Sequence, residues 1–204
     1  MLHVVFVLSG FAALLYQVVW QRSLYAIYGI NVESVTVVVT AFMLGLGLGS
    51  LAGGAISRKP ERPALLLFAL VELGIGAFGF FSLSLFREVG RLTLHQSALT
   101  VGVVTFLLVL VPTLLMGSTL PLLVAHRVRA SGNVGRSVGA LYFANTLGSA
   151  AAAAAAPLVM LAPLGQAATV RVAAAVNVAV ALGSYLMFRV DASRASSAAT
   201  RSAS

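Results

Sequence analysis

The chain has 204 residues, of which 60% are hydrophobic and only 9% are charged. Soluble domains carry about 25% charged residues, so these few charges cannot cover a water-exposed surface of this size. The composition indicates an integral membrane protein. The basic residues behind the net charge of +8 lie between apolar runs, which is typical of residues that set the orientation of a membrane protein rather than of a nucleic-acid-binding surface. The absence of cysteine excludes disulfides, zinc–thiolate sites and thiol nucleophiles.

Six apolar runs are long enough to cross a bilayer as helices, which takes about 20 residues each. Such continuous runs predict an all-α polytopic protein rather than a membrane β-barrel, whose alternating segments span about 10 residues. We expect a six-helix transmembrane domain over residues 1–188 and a disordered cytoplasmic tail over residues 189–204, where alanine, serine and arginine dominate. The six predicted spans are Leu2–Trp20, Ser34–Ile56, Ala64–Phe86, Ala98–Ala125, Val138–Leu161 and Ala167–Phe188.

The basic residues are divided unequally between the two sides that six spans define. One side carries nine and the other carries four. Because cytoplasmic loops are enriched in lysine and arginine, this distribution predicts that both termini are cytoplasmic. The nine are Arg58, Lys59, Arg62, Arg127, Arg129, Arg136, Arg189, Arg194 and Arg201, and the four are Arg22, Arg87, Arg91 and Arg171.

Small residues recur every four positions in two of the predicted spans. Gly45, Gly49 and Gly53 share one face of the second span, and Gly148 begins a similar face in the fifth. Small residues allow close contact between helices in lipid. These faces predict either plain packing within the bundle or a sliding surface for a moving transporter helix.

Glu72 is the most informative single residue. It lies about nine residues past Pro63, or about 14 Å into the membrane from the cytoplasmic edge, near the midplane of a core about 30 Å thick. A carboxylate there is costly unless it is paired or protonated. It would bind a cation or proton in a transport pathway, serve as a protonated, hydrogen-bonded structural residue, or pair with an arginine such as Arg22 or Arg171.

Other polar residues fall at a similar depth. Asn145 and Asn177 lie within the fifth and sixth spans, and Thr113 follows Pro112 near the middle of the fourth. Proline weakens a helix there, and secondary transporters place binding sites at broken helices near the midplane. With Glu72, these three residues are predicted to bind a substrate.

The first span closes with aromatic residues. Trp20, Tyr25 and Tyr28 are typical of an aromatic belt at the membrane interface. Gln17 lies deeper than this belt and is predicted to line a substrate cavity.

Soluble catalytic chemistry is not expected. The three histidines lie near span ends in separate segments, and the single aspartate, Asp191, lies in the tail. No metal site, Ser–His–Asp triad, Walker motif or cofactor site is therefore predicted. An enzyme embedded in the membrane with Glu72 as its acid–base group is a weaker hypothesis, because no second acidic residue or metal cluster accompanies Glu72.

Five segments in a fixed order carry a family resemblance. Together they resemble the membrane half of bacterial fused spermidine synthase-like proteins, also described as major-facilitator/spermidine-synthase fusions. The resemblance spans nearly all of residues 5–188 and implies a multi-pass protein of the bacterial inner membrane. The segments are Leu8–Trp20, Ala41–Ser50, Glu72–Gly76, Pro112–Pro121 and Leu141–Gly148.

In that family a cytosolic aminopropyltransferase-like domain with a glycine-rich, aspartate-containing nucleotide loop follows the membrane half. The present sequence contains no Gly-Gly-Gly-Asp-Gly-like loop. We therefore do not expect this chain alone to be an enzyme of spermidine synthesis.

Two hypotheses from different classes follow. The first is transport of a small, polyamine-like cation by a 3+3 inverted repeat equivalent to half a major-facilitator unit, which would then act as a homodimer. The identical Leu-Gly-Ser triplets at Leu48–Ser50 and Leu147–Ser149 are a weak internal sequence similarity of the kind that such a repeat would leave. The second is a membrane scaffold whose basic loops, Ser57–Pro63 and His126–Arg136, anchor a separately encoded spermidine synthase-like enzyme. In the alternative interpretation, the basic residues of these loops only determine the orientation of the protein in the membrane.

Overall fold

The computed structural model describes residues 1–28, 32–59 and 61–203. Within these ranges every regular element is a helix, and the predicted all-α class is confirmed. The helices are α1 (Leu2–Tyr28), α2 (Val32–Ser57), α3 (Ala64–Thr93), α4 (Ala98–Ser131), α5 (Val134–Ala155), a π-helical turn (Ala156–Leu161) and α6 (Ala162–Ala203).

Five helical stretches in the described residues are long and apolar enough to cross a membrane, as a multi-pass protein requires. The last of them joins α5, the π turn and α6 over 61 residues. A straight helix of that length would be about 90 Å long, three times the thickness of the bilayer core. The helical path is broken inside it at Gly165, where φ is 73° and ψ is 175°.

The ends of α4 and α5 follow ordinary capping rules. The Ser97 hydroxyl caps α4 by accepting a hydrogen bond from the Thr100 amide at 3.3 Å. The Asn133 side chain caps α5 by accepting from the Arg136 amide at 2.9 Å. Between the two helices Gly132 adopts φ of 69°, a conformation that glycine reaches without a Cβ clash.

The helices extend beyond the apolar runs. Past Trp20, Phe86 and Ala125, α1, α3 and α4 continue into polar sequence. Helix α6 continues through residues 189–203, the segment for which a disordered tail was expected. Alanine and arginine favour helix, and no glycine or proline interrupts this segment.

Helices α1 and α3 run parallel through the centre of the bundle. Near their starts the rings of Phe6 and Phe68 make an edge contact at 6.3 Å. Further along, the Trp20 indole donates to the Ser82 hydroxyl at 2.9 Å. Residue numbers therefore rise in the same direction along the two helices. A contact between one pair of residues predicts further contacts between residues that follow both members of the pair by the same number of positions.

Trp20 lies in the core rather than at an interface. Its side chain has no exposed surface and packs against the rings of Phe42, Phe78 and Phe86. The prediction that it belongs to an aromatic belt is wrong, because the hydrogen bond to Ser82 satisfies the indole N–H inside the bundle. Tyr25 is half-buried, and the side chain of Tyr28 lies outside the described part of the chain.

One end of the bundle, here called the basic end, brings together the α2–α3 connection and the ends of α4 and α6. Arg129 of α4 donates to the carbonyls of Ser57 and Lys59, each at 2.8 Å. His126 of α4 lies 3.9 Å from the carboxylate of Asp191 in α6. Because α5 starts directly after α4, α5 leaves this end and α6 returns to it.

The small residues of α2 lie against α4. A Cβ added at Gly49 or Gly53 would collide with the backbone carbonyl of Leu114 or Ser118, and one at Gly45 with the Thr113 side chain. Helices that meet at glycine can approach to backbone contact. In the same way, Gly148 of α5 lies against the Val7 carbonyl of α1.

Candidate functional site

Glu72 of α3 is completely buried and is held by two other helices. One carboxylate oxygen accepts a hydrogen bond from the Ser9 hydroxyl of α1 at 2.5 Å. The other accepts from the side-chain amide of Asn177 in α6, also at 2.5 Å. Each oxygen therefore has a donor, which offsets part of the cost of removing the carboxyl group from water.

Glycines on the same face of α3 allow the neighbouring helices to reach Glu72. Gly76 and Gly79 follow it by one and two helical turns, so all three share a face. A Cβ at Gly76 would lie 3.2 Å from the Cβ of Asn177, and one at Gly79 would overlap the Tyr16 ring. The small residues therefore create the close helix crossings that bring polar side chains to the carboxylate.

Two buried polar atoms in this part of the core have no hydrogen-bond partner in the described structure. They are the Tyr16 hydroxyl and the side-chain carbonyl oxygen of Asn177. The Tyr16 hydroxyl lies against Gly79, two helical turns along α3 from Glu72, and Asn177, only 2% exposed, contacts Glu72 directly. Unsatisfied buried polar groups are rare and costly. The cluster of Ser9, Tyr16, Glu72 and Asn177, here called the carboxylate cluster, therefore has unused capacity to bind a small polar species.

Glu72 does not pair with an arginine. Its two oxygens bind Ser9 and Asn177, whereas Arg22 and Arg171 line clefts at the end of the bundle opposite the basic end. Of the three interpretations of Glu72, the transport and structural ones both fit this geometry.

Thr113 lies away from Glu72, at the contact between α2 and α4. Its hydroxyl is within hydrogen-bond distance of the carbonyls of Val109 and Leu110 in its own helix, at 3.0 and 2.9 Å, and of Ala41 in α2, at 3.3 Å. The side chain is fully buried. Thr113 therefore joins helices, and none of these contacts reaches the carboxylate cluster.

Asn145 and Gln17 are also separate from the cluster. Asn145, half-buried on α5, places its backbone and side-chain carbonyl oxygens against Gly10 of α1. Gln17 is half-buried on α1. Neither side chain is among the hydrogen-bond partners of Glu72 in the described chain. The predicted set is thus brought together only in part, at Glu72 and Asn177.

Ser9 and Tyr16 belong to the cluster and were missed. A single serine or tyrosine in an apolar helix does not by itself indicate a functional site. The available signal was the spacing, because Ser9 and Tyr16 are seven positions apart, as are Glu72 and Gly79. Parallel helices would bring two such faces together.

In the part of the chain that the structure describes, no group of three or more histidine, cysteine or acidic residues could hold a metal ion. Comparison with known protein families, with curated proteins and with solved structures finds no match to this chain.

Proposed function

We propose that the chain transports a small cationic, polyamine-like solute across the bacterial inner membrane, with Glu72 as the counter-charge. The observation that carries this proposal is a fully buried carboxylate shared by three apolar helices, in contact with Asn177, whose side-chain carbonyl oxygen has no partner in the described structure. Ionisable residues inside membrane helices are costly and typically mark substrate or ion pathways.

The chemistry of the carboxylate cluster suits an ammonium group. An alkylammonium has three N–H donors and no acceptor. Glu72 supplies the opposite charge and the Asn177 carbonyl oxygen supplies an unused acceptor beside it, while the Tyr16 hydroxyl is a further unused acceptor two helical turns away. Glu72 and Asn177 can therefore accept from an ammonium group without a second charged residue.

The topology proposed for this function has six spans with both termini in the cytoplasm. In this topology the 61-residue stretch forms two crossings, a division supported by the break in helical geometry at Gly165. The contact between His126 and Asp191 supports the return of α6 to the side where α5 starts. The basic end would then face the cytoplasm, as the distribution of lysine and arginine requires.

An inverted repeat of α1–α3 and α4–α6 is supported by paired helix contacts. Exchanging the two halves converts the α1–α5 contact into α4–α2, and these are among the largest interfaces in the bundle. The Leu-Gly-Ser triplets follow the same exchange. Gly148 meets the Val7 carbonyl of α1, and Gly49 meets the Leu114 carbonyl of α4.

A second pair of contacts obeys the same numbering. Gly10 of α1 meets the Asn145 carbonyl, and Gly117 of α4 meets the Leu46 carbonyl. Both pairs relate α1 to α4 by 107 positions and α5 to α2 by 99 positions. We infer a 3+3 inverted repeat equivalent to half a major-facilitator unit, with a homodimer as the complete transporter.

Transport is tested by uptake of labelled putrescine or spermidine into liposomes that contain the purified chain. Glu72→Gln keeps the size of the side chain and one acceptor oxygen but removes the charge, so uptake should fall by about tenfold or more. Glu61→Gln is the matched control, because Glu61 is exposed in the α2–α3 connection. No uptake by the wild type, or equal uptake by Glu72→Gln, would overturn the proposal.

A scaffold for a separately encoded spermidine synthase-like enzyme is the second candidate. The observation that favours it is the exposure of Arg58, Lys59 and Arg136 near the basic end. Co-purification with such an enzyme in mild detergent tests it. Equimolar capture that is lost in Lys59→Gln/Arg136→Gln would support the scaffold, and no capture would exclude it.

A further inference from the structure

The end of the bundle opposite the basic end, here called the distal end, contains two adjoining clefts. The first has a volume of about 250 Å³ and is framed by α1, α3 and α6, with Arg87 and Arg171 in its wall. The second has a volume of about 480 Å³ and includes Arg22. Gln166 lines both clefts, so the clefts adjoin and the three arginines are distributed between them.

These arginines have no carboxylate partner in the described structure. The ion pairs there are Arg91–Glu88 and His126–Asp191. Arg87 bonds only within α3, to the Leu83 carbonyl at 3.2 Å and, marginally, to the Ser84 hydroxyl at 3.4 Å. Among the described residues, the distal clefts therefore carry concentrated positive charge without a paired carboxylate.

Arg171 carries the strongest argument, because it lies at an apolar depth. It precedes Asn177 by six residues on α6, which is about 9 Å along the helix axis. With the carboxylate cluster at the midplane, Arg171 lies inside the hydrocarbon layer, which extends about 15 Å to each side. A charge at that depth is costly without a counter-ion, and the cleft gives an anion a route to it.

Arg87 lies at the depth of lipid headgroups. It follows Glu72 by 15 residues on α3, or about 22 Å along the axis, near the outer limit of the interfacial layer. The cleft thus extends from the level of lipid phosphates towards the hydrocarbon, with an arginine near each end.

The backbone adds to this positive potential. Gly165 leaves helical geometry, so the regular part of α6 starts at Gln166. The Thr169 hydroxyl donates to the Gly165 carbonyl at 2.7 Å, within the first turn. The first amides of a helix lack intrahelical acceptors, and its dipole favours anions at that end.

We propose that the first of the two distal clefts binds a phosphate group, with Arg87 and Arg171 as direct ligands and Arg22, in the adjoining cleft, at the edge. The planar guanidinium presents paired N–H donors that match two phosphate oxygens. The phosphate belongs either to a phospholipid headgroup or to a free anion. The inference depends on the charge and shape of this cleft and not on the transport role of Glu72.

Two probes separate the sources of the phosphate, using the purified full chain in detergent. Inorganic phosphate is titrated by calorimetry against chloride, and phosphatidylglycerol is titrated by native mass spectrometry against diacylglycerol with the same acyl chains. Binding of phosphatidylglycerol alone assigns the site to lipid, and binding of inorganic phosphate assigns it to a free anion. Binding of neither probe above its control would overturn the proposal.

The variants locate the site. Arg87→Gln/Arg171→Gln should weaken binding at least about tenfold. Arg91→Gln is the matched control, because Arg91 lies one turn further along α3 and is paired with Glu88 at 2.6 Å. An equal loss in Arg91→Gln would contradict the assignment. If the double variant does not give a single chromatographic species, Arg87→Lys, which keeps the charge but loses the planar fork, should weaken binding and unchanged binding would overturn it.

Discussion

The aromatic ring of Tyr16 on α1 lies directly against the α-carbon of Gly79 on α3, in the space that any larger residue at position 79 would fill. The same ring stacks on Trp20 at 5.0 Å, and the Trp20 indole is fixed by Ser82. The ring therefore cannot move aside without disturbing the aromatic core. Its hydroxyl is held against Gly79, two helical turns from Glu72, as a consequence of packing.

Gly79→Ala should lower stability by about 1–3 kcal/mol, because the added methyl overpacks the contact with Tyr16. Thermal unfolding in detergent measures the change. Gly74→Ala on the same helix is the control, since the nearest atom to its added Cβ is the flexible end of Leu115 at 3.4 Å. Equal losses in the two variants would show that the Tyr16–Gly79 contact is not special.

Gly49→Ala should likewise destabilise the α2–α4 contact, because its Cβ would collide with the Leu114 carbonyl. Backbone cannot rotate away as a side chain can, so the loss should be as large as at Gly79. The control is Gly47→Ala, two residues away, where no atom lies within 4 Å. Unfolding curves that move together for Gly47 and Gly49 would disprove close packing at this face.

Ser9→Ala should cost about 1–3 kcal/mol in the wild-type background, since it leaves a buried carboxylate oxygen without its donor. In a Glu72→Gln background the same change should cost less, because hydrogen bonds to charged groups are the stronger ones. The four unfolding free energies form a double-mutant cycle. A coupling energy of zero would mean that the Ser9–Glu72 hydrogen bond contributes nothing to stability.

Arg129→Gln should expose the α2–α3 connection to trypsin. Arg129 donates to the carbonyls of Ser57, Lys59 and Arg62, and a shorter neutral side chain cannot hold all three. Cleavage after Arg58, followed by mass spectrometry, should accelerate several-fold, whereas Pro60 blocks cleavage after Lys59. Arg127→Gln removes the contact with His3 instead and should leave this cleavage rate unchanged; if both variants are cleaved equally fast, Arg129 does not fix the connection.

Single cysteines introduced into this cysteine-free chain should report six crossings. An impermeant maleimide should label Ser131→Cys and Ser193→Cys from the same side of sealed vesicles, and His95→Cys from the other side. If Ser193→Cys is instead labelled from the side of His95→Cys, the stretch through α5 and α6 crosses only once.

Hydropathy was sufficient to locate the helices but not their full lengths. A run of apolar residues marks the part of a helix suited to lipid, so the predicted spans stop at Trp20 and Phe86, where hydropathy falls. The helices themselves continue to Tyr28 and Thr93, because backbone hydrogen bonds and helix propensity do not stop at the edge of an apolar run.

The sequence predicted how deep the candidate site residues lie along their helices, but not which neighbouring helix each side chain faces. Counting residues placed Glu72, Asn177, Thr113 and Asn145 at a similar level, but the face that each side chain occupies depends on how its helix is rotated and which helix it meets. Glu72 and Asn177 face each other across α3 and α6, whereas Thr113 turns towards α2. Only tertiary packing supplies that information.

The π-helical turn from Ala156 to Leu161 has a consequence for how α5 stays attached to its neighbours. Gly148, Ala152, Ala156 and Met160 are buried at intervals of four residues, yet in an ideal α-helix each such step drifts by about 40° around the axis. A π turn contains more residues per turn and so rotates the stripe back. Deleting one residue from the π turn would let it close as an ordinary α turn, which contains fewer residues, whereas deleting one residue from the α-helical part before it would swing the remainder by about 100° and turn Met160 away from its neighbours. In this helix the exact number of residues, and not their hydrophobicity, keeps the buried face turned inward.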